Sequence, residues 1–260
     1  MAITLRSRRE IELMRKAGSV VGNVHRKLKE MAQPGISTGE LDRVAARMAK
    51  EAGSVALFKG VRSPHASVPF PGAICASVND EVVHGIPSDK TILEEGDVLS
   101  VDYGIELNGY CGDSARTLAI GKVSDGDRHL MDVTEEVLEI AIAECRPGIL
   151  WSQVAAKMEQ RAKEAGLGVV RDFVGHGIGT QLHEDPRVPN YVSRELLNND
   201  IMLAEGLVLA IEPMLNAGTA SVKTLSNGWT VVTADKRSSA HFEHTVAMTG
   251  SGCEVLTLPD

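Results

Sequence analysis

The chain has 260 residues, 43 % of them hydrophobic, and a formal net charge of -8. That length and apolar content suit one large domain or two small ones with a sizeable core. The acidic balance, with no basic stripe, argues against a nucleic-acid or anionic-membrane surface. The cysteines Cys75, Cys111, Cys145 and Cys253 form no C-x-x-C pair, which argues against a structural zinc knuckle. With no signal peptide and no long apolar segment evident, a reduced, soluble, cytoplasmic protein is expected.

In chain order, residues 7 to 31 place Ile11, Met14, Val21 and Leu28 on one helical face, and Ser7 with Glu10 reads as a capping box. A second helical segment opens at Pro34-Gly35-Ile36 and closes at Gly53. Glu95-Gly96-Asp97 then leads into the strand Val98-Leu99-Ser100-Val101, which ends on Asp102. Residues 127 to 144 carry Leu130, Val133, Val137 and Ile140 at helical spacing. Pro147-Gly148-Ile149 opens a segment that closes at Gly166, an echo of 34 to 53 displaced by 113 residues. Glu205-Gly206 followed by Val208-Leu209-Ala210-Ile211 and Glu212 echoes the Asp102 strand, displaced by 110 residues. Two agreeing offsets point to a duplicated half, approximately 1–125 and 126–260, within one domain spanning 1–260. Helix pairs followed by strands with hairpin signals predict an α+β fold with antiparallel sheet covered by helices.

The acids fall in odd places. Asn108-Gly109 is a type I′ hairpin signal, and pairing across it sets Gly104 opposite Asp113. Asp102 then shares a face with Asp113, as a diagonal neighbour. Two such charges repel unless a cation lies between them. Glu212 follows its own apolar strand, and Glu243 shares a face with His241 in Ser239-Ala240-His241-Phe242-Glu243-His244-Thr245. His176 sits among glycines, on a loop or strand and not a helix, with His183 seven residues on. Four carboxylates and one imidazole would balance two divalent cations of the Mn, Fe or Co kind, which activate water for hydrolysis.

Taken in order and at their spacing, Asn79 to Pro87, Gly96 to Thr117, Gly175 to Pro186, Leu209 to Met214 and Ser239 to Thr245 resemble the type I, bacterial methionine aminopeptidases. The resemblance covers nearly the whole chain. It implies the pita-bread fold, two pseudo-twofold halves, and cleavage of the initiator methionine where the second residue is small and uncharged. By resemblance, Asp102, Asp113, His176, Glu212 and Glu243 hold two divalent metal ions (Co, Mn, Fe or Zn). Asp113 and Glu243 bridge, Asp102 completes one metal, and His176 with Glu212 completes the other. A water activated by the two metals attacks the first peptide carbonyl, with Glu212 as proton shuttle. His183 contacts the carbonyl oxygen and His84 the scissile nitrogen. Phe70, Cys75, Leu182 and Trp229 line the methionine pocket. Leu182 stands where the family often has Phe, and Ser67 near a frequent Tyr. The resemblance further implies a monomer acting on nascent N-termini near the ribosome, in the cytoplasm, with no nucleic-acid or membrane partner. Neither an N-terminal zinc-binding extension nor a large helical insert is expected.

Proline-specific relatives with an extra N-terminal domain fit this length poorly. A non-enzymatic relative fits poorly with the complete ligand set. A dinuclear phosphatase would want a cation near the metals, for which only Arg116 offers itself close to Asp113 in sequence.

Overall fold

The structure, a computed structural model, describes residues 3–260. The first half runs α1 (Arg8–Met31), α2 (Thr38–Glu51), β1 (Val55–Ala56), β2 (Cys75–Val78), β3 (Glu81–Val83), β4 (Val98–Leu107) and β5 (Tyr110–Ala119). The second runs α3 (Asp125–Glu144), α4 (Trp151–Glu164), β6 (Gly168–Val169), β7 (Gly175–Gly177), β8 (Glu184–Val188) and α5 (Arg194–Asn198). It continues through β9 (Val208–Ile211), β10 (Met214–Asn216), β11 (Val222–Thr224), β12 (Val231–Thr233), β13 (Ser239–His241), β14 (His244–Thr249) and β15 (Gly252–Val255). The short helix α5 went unpredicted, since five residues show no helical period.

The helix starts follow local chemistry. Ser7 and Ser37 each accept from the N–H three residues on, while Glu10 and Glu40 reach back to the cap N–H. These reciprocal bonds satisfy donors that a bare helix end leaves orphaned. Helix α3 is capped by Ser124. Helix α4 differs: Leu150 has no oxygen to offer, and only the reverse arm remains, its N–H donating to Gln153 Oε1 at 3.2 Å.

The helices cover sheet on the side away from the acids. Val21, Leu28 and Leu41 of α1 and α2 pack on Leu99, Tyr103 and Ile105 of β4. Leu130, Val137, Trp151 and Met158 of α3 and α4 pack on Leu209 and Ile211 of β9. Each such fully buried side chain contributes about 1.5–3 kcal/mol of transfer free energy. Trp151 satisfies its indole N–H on Pro189 O at 2.8 Å.

All strand pairs are antiparallel, as expected, but the sheet is broken up. Among the described residues four sheets form: β1-β4-β2 with β5 on β4, β13-β10-β6, β11-β12-β3, and β15-β14-β9-β7-β8. The second echo is the reason. Strand β4 runs straight through Asp102, whereas β9 stops before Glu212 because Pro213 has no N–H for a ladder. No helix among the described residues is long and apolar enough to cross a membrane.

Candidate metal centre

The hairpin is where sequence chemistry first meets the site. Asn108 and Gly109 take φ of 54° and 84°, the positive pair of a type I′ turn. Their register sets Leu107 against Tyr110, Gly104 against Asp113 and Asp102 against Ala115. A Cβ on Gly104 would stand 2.9 Å from Asp113 Oδ1, so this position opposite the carboxylate is kept empty.

The second half brings its ligands to the same strand. Asp113 N–H donates to Thr245 Oγ1 at 3.0 Å, and that hydroxyl donates back to Asp113 O at 2.8 Å. Ser114 Oγ donates to Glu243 O at 2.6 Å, and Glu243 N–H to Ala115 O at 2.9 Å. Glu212 lies in the break between β9 and β10, its carbonyl accepting from Asn190 Nδ2 at 3.0 Å. His176 lies on β7 opposite Ala210 of β9. Side chains at Gly175 and Gly177 would collide with Ala210 O and Asp185 O, so only glycine lets the strands pack so closely about this histidine.

Ligand atoms of Asp113, His176 and Glu243 lie within 4.8 Å of one another. His176 Nε2 lies 3.5 Å from Glu212 Oε1. The His176 Nδ1 contact, 2.9 Å to Gly177 O, is to a carbonyl, which only accepts. The proton therefore sits on Nδ1, and Nε2 presents its lone pair to the cluster.

The electrostatics are severe without a cation. Burial, then the charges of Asp113 and Glu212, push Asp102 far above the usual carboxylate range. Glu243 is pushed up by burial, then by Asp113, Glu212 and Asp102. Glu212 is raised by burial and then by Asp113. Burial raises Asp113 to about 7, against the pull of Ser114 N–H and the Asp102 side chain. Burial lowers His176 to about 4, helped by His183 and opposed by Gly177 O. Asp102 Oδ1, Asp113 Oδ1 and Glu243 Oε1 are buried without a hydrogen-bond partner. Buried polar oxygens are normally satisfied, and a set of orphaned carboxylate oxygens beside an imidazole lone pair fits divalent cations. Asp113, His176 and Glu243 thus suit the group at mutual ligand distance, while Asp102 and Glu212 line the same cavity outside that trio.

All five lie on one cavity of about 840 Å³, which also meets His84, His183, Phe70, Cys75, Leu182 and Trp229. Its apolar end is Phe70, Cys75 and Trp229, with Phe58 packed against them. The Phe70 and Trp229 rings meet edge to face, 5.3 Å between centroids, and Trp229 donates its indole N–H to Val68 O. Cys75 pairs with Asp102 across β2 and β4, so the apolar end abuts the acids. Burial and those acids raise the Cys75 thiol well above its ordinary value, leaving a small protonated side chain. His84 takes a positive φ of 58°, a conformation non-glycine residues rarely adopt, and its ring meets Phe173 edge to face. His183 stands at the exposed rim, its ring 4.3 Å from that of His176. Its loop is clamped by Glu184, whose Oε1 accepts from the N–H groups of Thr180 and Gln181 and whose Oε2 meets the Arg6 guanidinium.

Some placements differ from expectation. Ser67 is exposed and forms no part of the cavity wall; Phe58 and Val61 stand there instead. Arg116 turns away from the acids to Glu135 and His244, which removes the one cation offered for a phosphatase. His241 and Phe58 also line the cavity. Period-two alternation placed His241 beside Glu243, whereas nothing local marked Phe58.

A fold of helix pairs over antiparallel strands, with acids and a histidine converging from both halves, defines a metallopeptidase architecture. The chain matches the family model for metallopeptidase family M24 over residues 12–250, and it belongs to that family. It is 46 % identical over 255 residues to methionine aminopeptidase 1 of Bacillus subtilis, covering 98 % of this chain and 99 % of that protein. It is 37 % identical over 259 residues to the methionine aminopeptidase of Escherichia coli K12, covering 99 % and 95 % respectively. The solved methionine aminopeptidase of Thermotoga maritima superposes with a TM-score of 0.92 at 38 % identity, covering 99 % of this chain and 100 % of that one. Within M24 the chain groups with the type I methionine aminopeptidases. Prolidase from Pyrococcus horikoshii superposes at 0.75 and 22 % identity over 64 % of its own length, a likeness of fold alone. The shared fold is the pita-bread fold.

Proposed function

We propose that this chain removes N-terminal methionine from proteins and peptides by metal-dependent hydrolysis, preferring a small uncharged second residue. One observation carries the reading: an apolar pocket, two histidines and a cation-demanding acid cluster share one cavity. Asp102, Asp113, His176, Glu212 and Glu243 would hold two divalent ions. Such ions lower the pKa of water and polarise a carbonyl. Phe70, Cys75, Leu182 and Trp229 take the methionine side chain. His183 donates to the carbonyl oxygen as charge develops there, and His84 contacts the scissile nitrogen. Glu212, less buried than Asp113 or Glu243 and facing the cavity, carries the proton to the leaving amine.

The two-half organisation of a single domain is supported by the repeated order of helix pair and strands. Nascent chains at the ribosome are the proposed substrates, in the cytoplasm, since newly made proteins are the source of initiator methionine. Action as a monomer is part of the same proposal.

Purified protein with added Mn²⁺, Fe²⁺ or Co²⁺ is expected to release methionine from Met-Ala-Ser and not from Met-Leu-Ser. Cleavage of Xaa-Pro peptides instead, or no cleavage with any of these ions, would overturn the reading.

A further inference from the structure

Glu212 is flanked by two imidazoles. His176 Nε2 lies 3.5 Å from Oε1, and His241 Nε2 lies 3.5 Å from Oε2. The first ring has an evident task, because its Nδ1–H is committed to Gly177 O and its Nε2 faces the acid cluster. The second has none so far. His241 is 2 % exposed, it lines the cavity, and its Nε2 is a buried ring nitrogen without a hydrogen-bond partner. Native folds seldom leave such an atom unsatisfied.

The backbone around this ring is pinned from two sides. His241 pairs with Met214 across β13 and β10, two residues past Glu212. Its N–H donates to Thr117 Oγ1 at 2.8 Å, and the same hydroxyl donates to its carbonyl at 2.8 Å. Thr117 belongs to β5, the strand that carries Asp113. The ring is therefore held between the strand of one ligand and the side chain of another. It is not a member of the trio Asp113, His176 and Glu243 whose ligand atoms approach within 4.8 Å. Its neighbour is the far oxygen of Glu212.

A carboxylate with two free oxygens can turn about its last carbon–carbon bond and meet a cation through either or both. A donor on one oxygen removes that freedom. We infer that His241 is a positioning residue, whose Nε2–H holds Glu212 Oε2 and leaves Oε1 turned to His176 and the metal. Partners of this kind orient a ligand, and their loss typically weakens metal binding about tenfold to hundredfold. The inference rests on Glu212 being a metal ligand, as proposed above.

The test is a calorimetric titration of metal-free protein with Mn²⁺, for wild type, His241→Leu, His241→Gln, His241→Asn and Glu212→Gln. A glutamine amide nitrogen reaches the place of Nε2, whereas that of asparagine stops short. His241→Leu and His241→Asn are expected to bind the weaker Mn²⁺ about tenfold to hundredfold less tightly. His241→Gln is expected to stay close to wild type. With Met-Ala-Ser, His241→Leu should lower kcat and leave KM little changed. Wild-type Mn²⁺ affinity in His241→Leu, or a His241→Gln as weak as His241→Leu, would overturn the inference. Should His241→Leu fail to fold by circular dichroism, the Gln and Asn pair decides: equal affinities overturn the inference, and a weaker Asn variant supports it. Glu212→Gln separates the two readings. Unchanged binding there overturns the ligand assignment, whereas weakened binding there with His241→Leu unchanged overturns only the role of His241.

Discussion

At residue scale the site is built as much from missing side chains as from present ones. Gly104 leaves room for Asp113 Oδ1, which a methyl group would meet at 2.9 Å. The carboxylate is buried and tied through its backbone to Thr245, so it cannot easily give way. Gly104→Ala is expected to weaken Mn²⁺ binding and lower turnover while the far-ultraviolet spectrum stays native. Unchanged binding in a titration would show that the pocket tolerates the methyl. His183 is tested differently. Its removal in His183→Ala should cost about 10²–10³ in kcat, as for a lost oxyanion donor, with Mn²⁺ still bound. An unchanged kcat would refute the role. The acids were legible because Asn108-Gly109 sets a register, and a register sets a face. His241 was legible only as a neighbour of Glu243. Nothing in local spacing shows that Glu212, in the break between β9 and β10, lies beside its ring.

At the scale of elements, the two echoes in sequence share backbone geometry. Gly35 and Gly148 have φ of 95° and 88°, Gly53 and Gly166 69° and 73°, and Gly96 and Gly206 95° and 91°. Helices α2 and α4 also end alike: Ser54 N–H reaches Ala49 O and Leu167 N–H reaches Ala162 O, while Gly53 and Gly166 bond Lys50 O and Lys163 O. These are Schellman endings, which favour glycine because the closing residue needs positive φ. The copies diverge at their starts, where Ser37 has a capping oxygen and Leu150 has none. Ser37→Ala should therefore cost about 1 kcal/mol in urea unfolding. A loss near zero would mean that Glu40 alone caps α2. Such glycines and caps are readable from sequence because each acts within a few residues. The split of the sheet is less readable. Pro213 marks it, yet a proline alone does not say which neighbouring strands bend with it.

For the whole molecule, metal and fold are coupled. Asp113, Ser114 and Ala115 of the first half bond directly to Thr245 and Glu243 of the second. The acids therefore gather where the halves join, and their repulsion works against that join. In metal-free protein, Asp113 is raised to about 7, and Asp102 and Glu243 are raised too, by burial first and then by the neighbouring acids. The folded chain thus keeps protons that the unfolded chain loses above about pH 4.5. Metal-free stability should fall as pH rises through that window, and bound cations should remove the deficit. The rise in Tm on adding Mn²⁺ is accordingly expected to be larger at about pH 8 than at about pH 5.5. Scanning calorimetry checks it, and an equal or smaller rise at the higher pH would contradict the coupling.

Sequence alone determined the four long helices, the hairpin register and which acids and histidines could meet a metal. Each of these follows from interactions between residues close along the chain: a cap, a turn, a period of two or 3.6. Tertiary structure alone decided that Phe58 and not Ser67 walls the pocket, that Arg116 faces away, and that His241 attends Glu212. Those outcomes depend on how segments far apart in sequence pack. Packing is set by the joint shape of many side chains, which no local pattern encodes.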